Sequence, residues 1–208
     1  MWVSLPELQS LIKVFYPIRA FIGQSDERLY TCFNFFLSSE ILLAEKESID
    51  DVWMQEALKE AEKARELDEV PVGAVVVREG KIIGRGFNQP ISGCNPVAHA
   101  EVMALQEAAA HVENYRLVDC ELYVTLEPCT MCAGAIIHSR VKRVVFGALE
   151  PKAGALVSQS RTLELPYMNY RVEMTPGVLE EECSEMISSF FRARREAKKA
   201  EKKRLKLC

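Results

Sequence analysis

Residues 125–138, TLEPCTMCAGAIIH, place two cysteines three positions apart, directly after a proline, at the start of an apolar segment typical of a helix. Pro128 suits the entry to a helix because proline has no N–H group to leave unpaired there. Cys129 and Cys132 would then lie in the first turn, where free N–H groups and the helix dipole favour thiolates over thiols. Such a pair could be half of a metal site, a redox motif or two core thiols.

A zinc site needs about four ligands, so the two cysteines require a third protein ligand. The chain has three histidines, and His99 begins a predicted helix in the sequence HAE, with Glu101 two residues later. If both helices follow strands of one parallel sheet, their N-termini lie at the same sheet edge, where open α/β sheets bind ligands. His99, Cys129 and Cys132 are therefore expected to converge. Three protein ligands leave one position for water, as in catalytic zinc sites.

Glu101 has a predicted role beside such a site. Zinc lowers the pKa of a bound water to about 7, and a neighbouring carboxylate can accept its proton and pass it on. Each residue also has a simpler interpretation: the cysteines as a redox pair, His99 as a structural histidine, and Glu101 as a charge that complements the helix dipole. The combination of His-x-Glu with Pro-Cys-x-x-Cys favours hydrolytic chemistry at an electrophilic carbon.

The sequence around this constellation alternates between strand-like and helix-like segments. The predicted elements, in chain order, are a helix from about residue 49 capped by Ser48 or Asp50, two strands within 70–88 that turn at Glu79-Gly80, a helix over 98–111, a strand over 121–126, a helix over 129–140, strands over 141–148 and 170–174, and a last helix from near Pro176 into the C-terminal tail. Alternating strands and helices predict a layered α/β domain.

Charge is distributed unevenly along the 208 residues, whose formal net charge is −4. Residues 192–208 contain nine Lys or Arg and two Glu, a net charge of +7, which leaves −11 on the remainder. An acidic body with a basic extension suggests that the extension binds a polyanion. The alternative is a solvated helix end with internal charge pairs.

The cysteines and the apolar segments bear on the compartment. Seven cysteines at irregular spacing do not suggest a disulfide framework, and Lys13 and Arg19 interrupt the early apolar stretch, so no secretory signal is predicted. The longest apolar runs are shorter than the ~18–20 residues that span a bilayer. We therefore expect a cytoplasmic protein without a membrane partner.

The pattern His99-x-Glu101 with Pro128-Cys129-x-x-Cys132 resembles the signature of zinc nucleobase deaminases. The resemblance extends over residues 53–195, about two-thirds of the chain. The segments EVPVGAVVV, GFNQPI, AHAEVMAL, NYRLVDCELYVTLEPCTMCAGAIIHSRVKRVVFGA and SSFFRARR are similar to those of bacterial tRNA-specific adenosine deaminases, within the cytidine/deoxycytidylate deaminase superfamily.

This resemblance implies a three-layer α/β/α cytidine deaminase-like fold with a mixed five-stranded sheet. It implies a homodimer in which each active site is shaped partly by the neighbouring subunit. It also implies hydrolytic conversion of adenosine to inosine at the wobble position of a tRNA anticodon, with an arginine tRNA as the substrate that the family favours. The cofactor would be one zinc ion per subunit.

The resemblance also assigns roles to individual residues. His99, Cys129 and Cys132 would bind zinc, and Glu101 would protonate first the ring nitrogen and then the leaving amino group. The implied substrate contacts are Val72 in the wall of the base pocket, Asn88 on the flipped nucleoside, the Ala100 N–H on the base, Ala148, Glu150 and Lys152 in a loop against the anticodon, and Phe190, Phe191, Arg192, Arg194 and Arg195 on a C-terminal helix that faces RNA. The family usually has aspartate where Glu150 stands.

We therefore divide the chain into three predicted segments. Residues 1–48 form an N-terminal extension of unknown structure, 49–191 the zinc deaminase domain, and 192–208 a basic C-terminal helix end or tail. Two alternatives share the constellation. A deaminase of free nucleobases or nucleotides would not need the basic helix, and a non-catalytic RNA-binding subunit would not need Glu101. A redox protein built on the cysteine pair would bind no zinc.

Overall fold

The computed structural model describes residues 48–205. The predicted N-terminal extension lies outside the described residues, apart from Ser48 at its boundary. The elements are helix α1 (Ile49–Glu66), strands β1 (Gly73–Arg78) and β2 (Lys81–Phe87), helix α2 (Ala100–His111), strand β3 (Glu121–Leu126), helix α3 (Thr130–Ser139), strand β4 (Arg143–Ala148), a short 3₁₀ helix (Thr162–Glu164), strand β5 (Glu173–Pro176) and helix α4 (Glu180–Leu205).

The strands form one mixed sheet in the order β2-β1-β3-β4-β5. Strand β1 is antiparallel to both neighbours, whereas β3, β4 and β5 are parallel to one another. All strands except β1 therefore run in the same direction. The carboxyl ends of β2, β3, β4 and β5 meet at one edge, which we call the C-terminal edge.

Both faces of the sheet are covered. Successive side chains of each central strand point to opposite faces, and apolar residues are buried on both. Ala74 and Val76 of β1 pack on one side in a core that includes buried residues of α2 and α3. Val75 and Val77 pack on the other side with residues of α1 and with Cys183 of α4. The structure therefore has three layers, α/β/α, and confirms the fold that the resemblance implied.

Two glycines let α2 lie directly against the edge strand β2. A Cβ atom at Gly86 would come within 2.3 Å of the Ala100 carbonyl oxygen, and one at Gly84 within 2.3 Å of the Ala104 carbonyl oxygen. Any larger residue would push the helix away from the sheet. The close approach at Gly86 fixes the first turn of α2, and so fixes where His99 lies.

Most predicted boundaries agree with the structure. Ser48 caps α1 in a reciprocal capping box with Asp51, and Glu79 and Gly80 both have positive φ, at 51° and 70°, as a tight hairpin turn requires. The predicted strand over 170–174 is shifted, because β4 pairs with Glu173–Pro176 instead. Side chains hold the segment before it: Arg140 stacks on Tyr170 and binds Asn169.

The last helix starts at Glu180 rather than near Pro176, after Gly177 and Leu179 adopt positive φ. It then continues without a break through residue 191 to Leu205. The predicted boundary between domain and basic tail is thus a change of composition within one helix.

Candidate active site

The three predicted ligands lie at the starts of two helices. His99 is the N-cap residue of α2, Cys129 is the N-cap residue of α3, and Cys132 lies in the first turn of α3. The convergence of these residues was predicted on the assumption of a parallel sheet, but the sheet is mixed. The helices still converge, because β2 and β3 run in the same direction on either side of β1, and both lead to the C-terminal edge.

The ligand atoms form a small triangle. The His99 Nδ1 atom lies 3.5 Å from Cys132 Sγ and 3.7 Å from Cys129 Sγ, and the two sulfurs are 3.7 Å apart. Zinc bonds of about 2.3 Å to sulfur and about 2.0–2.1 Å to nitrogen give edges of about 3.5–3.8 Å in a tetrahedral site. The triangle therefore fits zinc. Within residues 48–205, no other group of three such side chains is close enough to hold a metal ion.

One sulfur of the cluster favours the charged form that binds a cation. The pKa of Cys129 is lowered to about 3, because Cys132 and His99 donate hydrogen bonds to its sulfur. The pKa of Cys132 is raised, because it is the donor in that bond and is buried. The pKa of His99 is raised by its bond to Cys129. The hydrogen bonds within the cluster thus favour the thiolate form of Cys129.

Glu101 lies in the first turn of α2, two residues after His99, and only 4% of its surface is exposed. Burial raises the pKa of its carboxyl group, and a backbone hydrogen bond and His99 offset only part of that effect. A buried carboxyl group with a raised pKa holds a proton more readily than an exposed one, which suits a group that accepts a proton and passes it on. Its place beside the ligand triangle is the one that the sequence predicted.

Three predicted substrate residues lie together beside the cluster. The Ala100 N–H donates to Asn88 Oδ1 at 2.9 Å, and the Asn88 N–H donates to the Val72 carbonyl at 3.0 Å. The first bond orients the Asn88 amide and uses the N–H group that the sequence analysis assigned to the base. This bond involves only the oxygen of the amide, so the contact of Asn88 with the nucleoside stays a prediction. Val72 and Asn88 are both buried.

The loop after β4 carries the predicted anticodon contacts. Ala148 is buried at the end of β4, whereas Lys152 is exposed and Glu150 is half-buried. The Lys152 N–H donates to Glu150 Oε1 at 2.9 Å, and the Glu150 N–H donates to Glu127 Oε2 at 3.0 Å. The loop is therefore built on the end of β3, from which the cysteine ligands follow.

Some of the α4 residues that were predicted to contact RNA already pair or pack within the protein, and the others are exposed. Arg192 pairs with Glu185, and Arg194 stacks over the buried Phe190 ring at 5.4 Å and lies 3.6 Å from Asp68. Phe191 and Arg195 are exposed. Among the described residues, no hydrogen bond or ion pair joins 191–195 to the ligand cluster, so the RNA roles of this helix remain predictions.

Two buried carboxylates near the site were missed by sequence reasoning. Glu69 accepts hydrogen bonds from the Ile91 and Ser92 N–H groups and so anchors the loop between Asn88 and His99. Glu127 accepts five hydrogen bonds from the loop after β4. The sequence did contain a hint of both, because each is a charged residue next to an apolar segment. Glu69 precedes VPVG, and Glu127 follows YVTL.

Comparison with known proteins places this site in a family. Residues 47–148 match the family model of the cytidine and deoxycytidylate deaminase zinc-binding region. A tRNA-specific adenosine deaminase of Haemophilus influenzae is 52% identical over 162 residues, covering 77% of this chain and 94% of that relative. One from Bacillus subtilis is 48% identical over 156 residues, covering 75% of this chain and 97% of that relative.

The chain belongs to the tRNA-specific adenosine deaminase family. It is therefore a hydrolytic deaminase. A solved structure from a study of A-to-I editing by tRNA:A34 deaminases at the wobble position is similar to this family member, with a TM-score of 0.63 and 41% identity over 64% of this chain and 97% of that chain.

A guanine deaminase from Nitrosomonas europaea is also similar to this tRNA-specific adenosine deaminase family member, with a TM-score of 0.58 and 26% identity, covering 67% of this chain and 83% of that chain. The fold is thus shared with an enzyme that acts on a free base.

Among residues 48–205, none of the helices combines the length and apolar character that crossing a bilayer requires.

Proposed function

We propose that this deaminase converts adenosine to inosine at the wobble position of a tRNA anticodon, with an arginine tRNA as its substrate. One zinc ion per subunit would be held by His99, Cys129 and Cys132. The observation that carries the proposal is the ligand triangle with the buried Glu101 carboxyl group beside it. The tRNA substrate is supported by the relatives, which are tRNA-specific adenosine deaminases of 48–52% identity.

When bound, zinc would activate a water molecule for attack on C6 of the adenine. Glu101 would accept a proton from the attacking water and donate it to the ring nitrogen. It would then carry a second proton to the amino group, which leaves as ammonia. A single carboxyl group can do both because it is buried, and so keeps its protons from bulk water.

The adenine must leave its stack to reach this site. The Asn88 Nδ2 group, held in place by the Ala100 N–H, would donate to the extruded nucleoside, and Val72 would form part of the wall of the base pocket. Exposed residues farther out, Lys152, Phe191 and Arg195, would meet phosphates and unstacked bases of the anticodon loop.

The homodimer is part of the same proposal. The outer faces of α2 and α3 form a mainly apolar groove lined by Val102, Leu105, Ala109, Tyr115 and Ala135, together with Gln106, His138 and Ser139. Tyr115 is 64% exposed at its rim. A second copy of the chain would cover this groove, which adjoins the two helices that carry the metal ligands.

Sedimentation of two tyrosine variants tests the dimer. Tyr115→Glu should give a monomer, because it puts a charge on the apolar groove that the second copy would cover. Tyr167→Glu is the matched control, since Tyr167 is also exposed, at 75%, but lies elsewhere. A Tyr115 variant that remains dimeric would contradict this interface.

The compartment follows from the same features. The reaction needs tRNA, and the site needs two reduced cysteines. Both conditions fit the cytoplasm, which we propose as the location.

A deaminase of free bases is the second candidate, and the similarity to a guanine deaminase favours it. A substrate panel separates the two. The zinc-loaded protein should form inosine in an arginine tRNA with a wobble adenosine, and release little ammonia from guanine, cytosine or deoxycytidylate. The reverse pattern would support the free-base reading.

A further inference from the structure

One buried carboxylate connects the metal-binding segment to the loop after β4. Glu127 is only 3% exposed, and its Oε1 atom accepts from the N–H groups of Leu156, Val157 and Ser158 at 3.1, 2.7 and 2.9 Å. Its Oε2 atom accepts from the Glu150 N–H at 3.0 Å and from the Ser158 hydroxyl. One side chain thus binds both ends of the loop 149–158.

The backbone around Glu127 is joined to the same loop. The Glu127 N–H donates to the Ala148 carbonyl at 2.8 Å, and the Ala155 N–H donates to the Pro128 carbonyl at 2.9 Å. Cys129 forms an isolated β-bridge with Gly154. The loop is therefore in register with the ligand segment, and the carboxylate fills the space between them.

Gly154 marks how tightly that space is filled. A Cβ atom at Gly154 would lie 2.2 Å from Glu127 Oε2 and 2.3 Å from its Cδ. The carboxylate cannot easily move aside, since five donors hold it. A glycine is needed at this position because the carboxylate occupies the place of a side chain.

We propose that Glu127 is a positioning residue that sets the loop 149–158 against the metal-binding segment, so that Glu150 and Lys152 are presented to the RNA at a fixed distance from the reacting base. This rests on the proposed function, which supplies the RNA. All five hydrogen bonds that the Glu127 carboxylate accepts come from the loop 149–158, so its effect on RNA would act through the loop.

The chemistry of the five bonds explains why the residue is a glutamate. All five partners donate, and only a carboxylate offers two acceptor atoms. In Glu127→Gln, the amide oxygen can keep the three N–H groups at 156–158. The amide NH₂ group then faces the Glu150 N–H, donor against donor, while the Ser158 hydroxyl can turn to accept. The variant should therefore release the 150–152 end of the loop alone.

Hydrogen exchange and kinetics together test this positioning role. In Glu127→Gln, exchange should accelerate at the Glu150 amide while the Val157 and Ser158 amides stay protected. The KM for tRNA should rise about tenfold, as expected when one buried donor loses its acceptor. The kcat at saturating tRNA and the zinc content should stay within about twofold of the parent.

Two further variants provide a second test and a control. Gly154→Ala displaces the carboxylate without changing its charge, so it should raise KM in the same way, and it keeps the test open if Glu127→Gln fails to fold. Ser158→Ala removes one hydroxyl and leaves the four N–H bonds, so its KM should match the parent.

Other outcomes would overturn the proposal. An unchanged KM in both Glu127→Gln and Gly154→Ala means that loop position does not affect RNA binding. Loss of zinc together with faster exchange throughout the domain means that Glu127 supports only the fold. If the parent itself forms no inosine, the proposed reaction fails. The Kd of an anticodon stem-loop then decides the positioning role, and equal Kd values for parent and variants would reject it.

Discussion

Asn88 has a buried side-chain amide that is held at one end by a backbone N–H group. Its oxygen accepts the Ala100 N–H at 2.9 Å, which fixes the direction in which the amino group points. Side chains at a site gain precision when neighbouring groups lock their rotamers in this way. The oxygen therefore supports the structure, and the amino group is the part of the amide that is predicted to contact the nucleoside.

Asn88→Asp tests that prediction. The variant keeps an acceptor for Ala100 but loses the donor, so we predict a normal fold and a kcat/KM for tRNA that falls about 10- to 100-fold, as for a missing buried hydrogen bond. Asn95→Asp is the matched control, because Asn95 Oδ1 also accepts an N–H group, from exposed Val97. Equal kcat/KM values in both variants would mean that Asn88 does not contact the nucleoside.

At this scale the sequence identified the candidate ligands and missed the residues that support them. His99, Glu101, Cys129 and Cys132 follow from local spacing, because each lies at the start of a helix whose position the strand pattern fixes. Glu127 looks in sequence like the end of a strand. Its partners lie 23 to 31 residues later in a loop without regular structure, so no local pattern could reveal them.

At the scale of single elements, the start of α1 is tied to the sheet by charge. Arg143 of β4 donates to Asp50 at 2.7 and 3.0 Å and to Glu121 at 2.9 Å. The Tyr123 hydroxyl lies 2.8 Å from Asp50 Oδ1 and 2.7 Å from Glu121 Oε2, and its one proton can be donated to either acid. Arg143 lowers the pKa of Asp50 through their hydrogen bond, and partial burial opposes this only in part.

Asp50→Asn should therefore show a pH-dependent cost. A carboxyl group whose folded pKa lies below its ordinary value of 3.8 stabilises the fold at pH above that value, and the contribution is lost as the pH falls through the folded pKa. We predict that the variant is about 1.5–3 kcal/mol less stable at pH 7. The difference should shrink steadily below pH 3.8, as measured by urea unfolding.

Glu164→Gln is the control, because its pair with Arg161 is exposed on both sides and should contribute at most about 1 kcal/mol. A cost for Asp50→Asn that stays constant down to acid pH would show that its charge is not what stabilises the helix.

Helix α4 lies along the C-terminal edge and then leaves the body. Cys183 packs where a Cβ atom of Gly147 would be, at the end of β4, and Arg194 reaches Asp68 just after α1. The last ten residues, 196–205, are all exposed and extend about 15 Å. We call these residues the basic arm.

The basic arm should bind RNA through charge alone. Replacing Lys198, Lys199, Lys202 and Lys203 by Gln should weaken tRNA binding and lower the slope of log K against log salt, by about 0.7–0.9 for each lost phosphate contact. The kcat should not change. The control variant replaces Lys81 and Lys142, which lie at the opposite edge, at the starts of β2 and β4. An unchanged salt slope in the arm variant would contradict this role.

Element boundaries show where sequence reasoning ends. The strands of the hairpin and β3 and β4 were placed correctly, since each has alternating or continuous apolar residues between turn signals. Strand β5 was misplaced, because within residues 48–205 it pairs with β4 alone, and its burial is slight, as is typical of an edge strand. Pairing with a distant strand, rather than local pattern, defines that element.

For the whole molecule, the decisive feature is the direction of the strands. A single antiparallel strand, β1, lies between β2 and β3 without altering their common direction. Two helices whose N-cap residues, His99 and Cys129, are 30 residues apart in sequence therefore start side by side. Sequence alone predicted this meeting from a parallel sheet. The mixed sheet was predicted from the family resemblance and not from the strand pattern.

The central claim is zinc-dependent deamination of a tRNA adenosine, with Glu101 as the proton carrier. Its most direct test is inosine formation at the wobble position of an arginine tRNA by the zinc-loaded parent and by Glu101→Gln, with zinc content measured in both. We predict stoichiometric zinc in each protein and a rate at least about 100-fold lower in the variant. A parent that holds zinc but forms no inosine, or a variant as fast as the parent, would contradict the account.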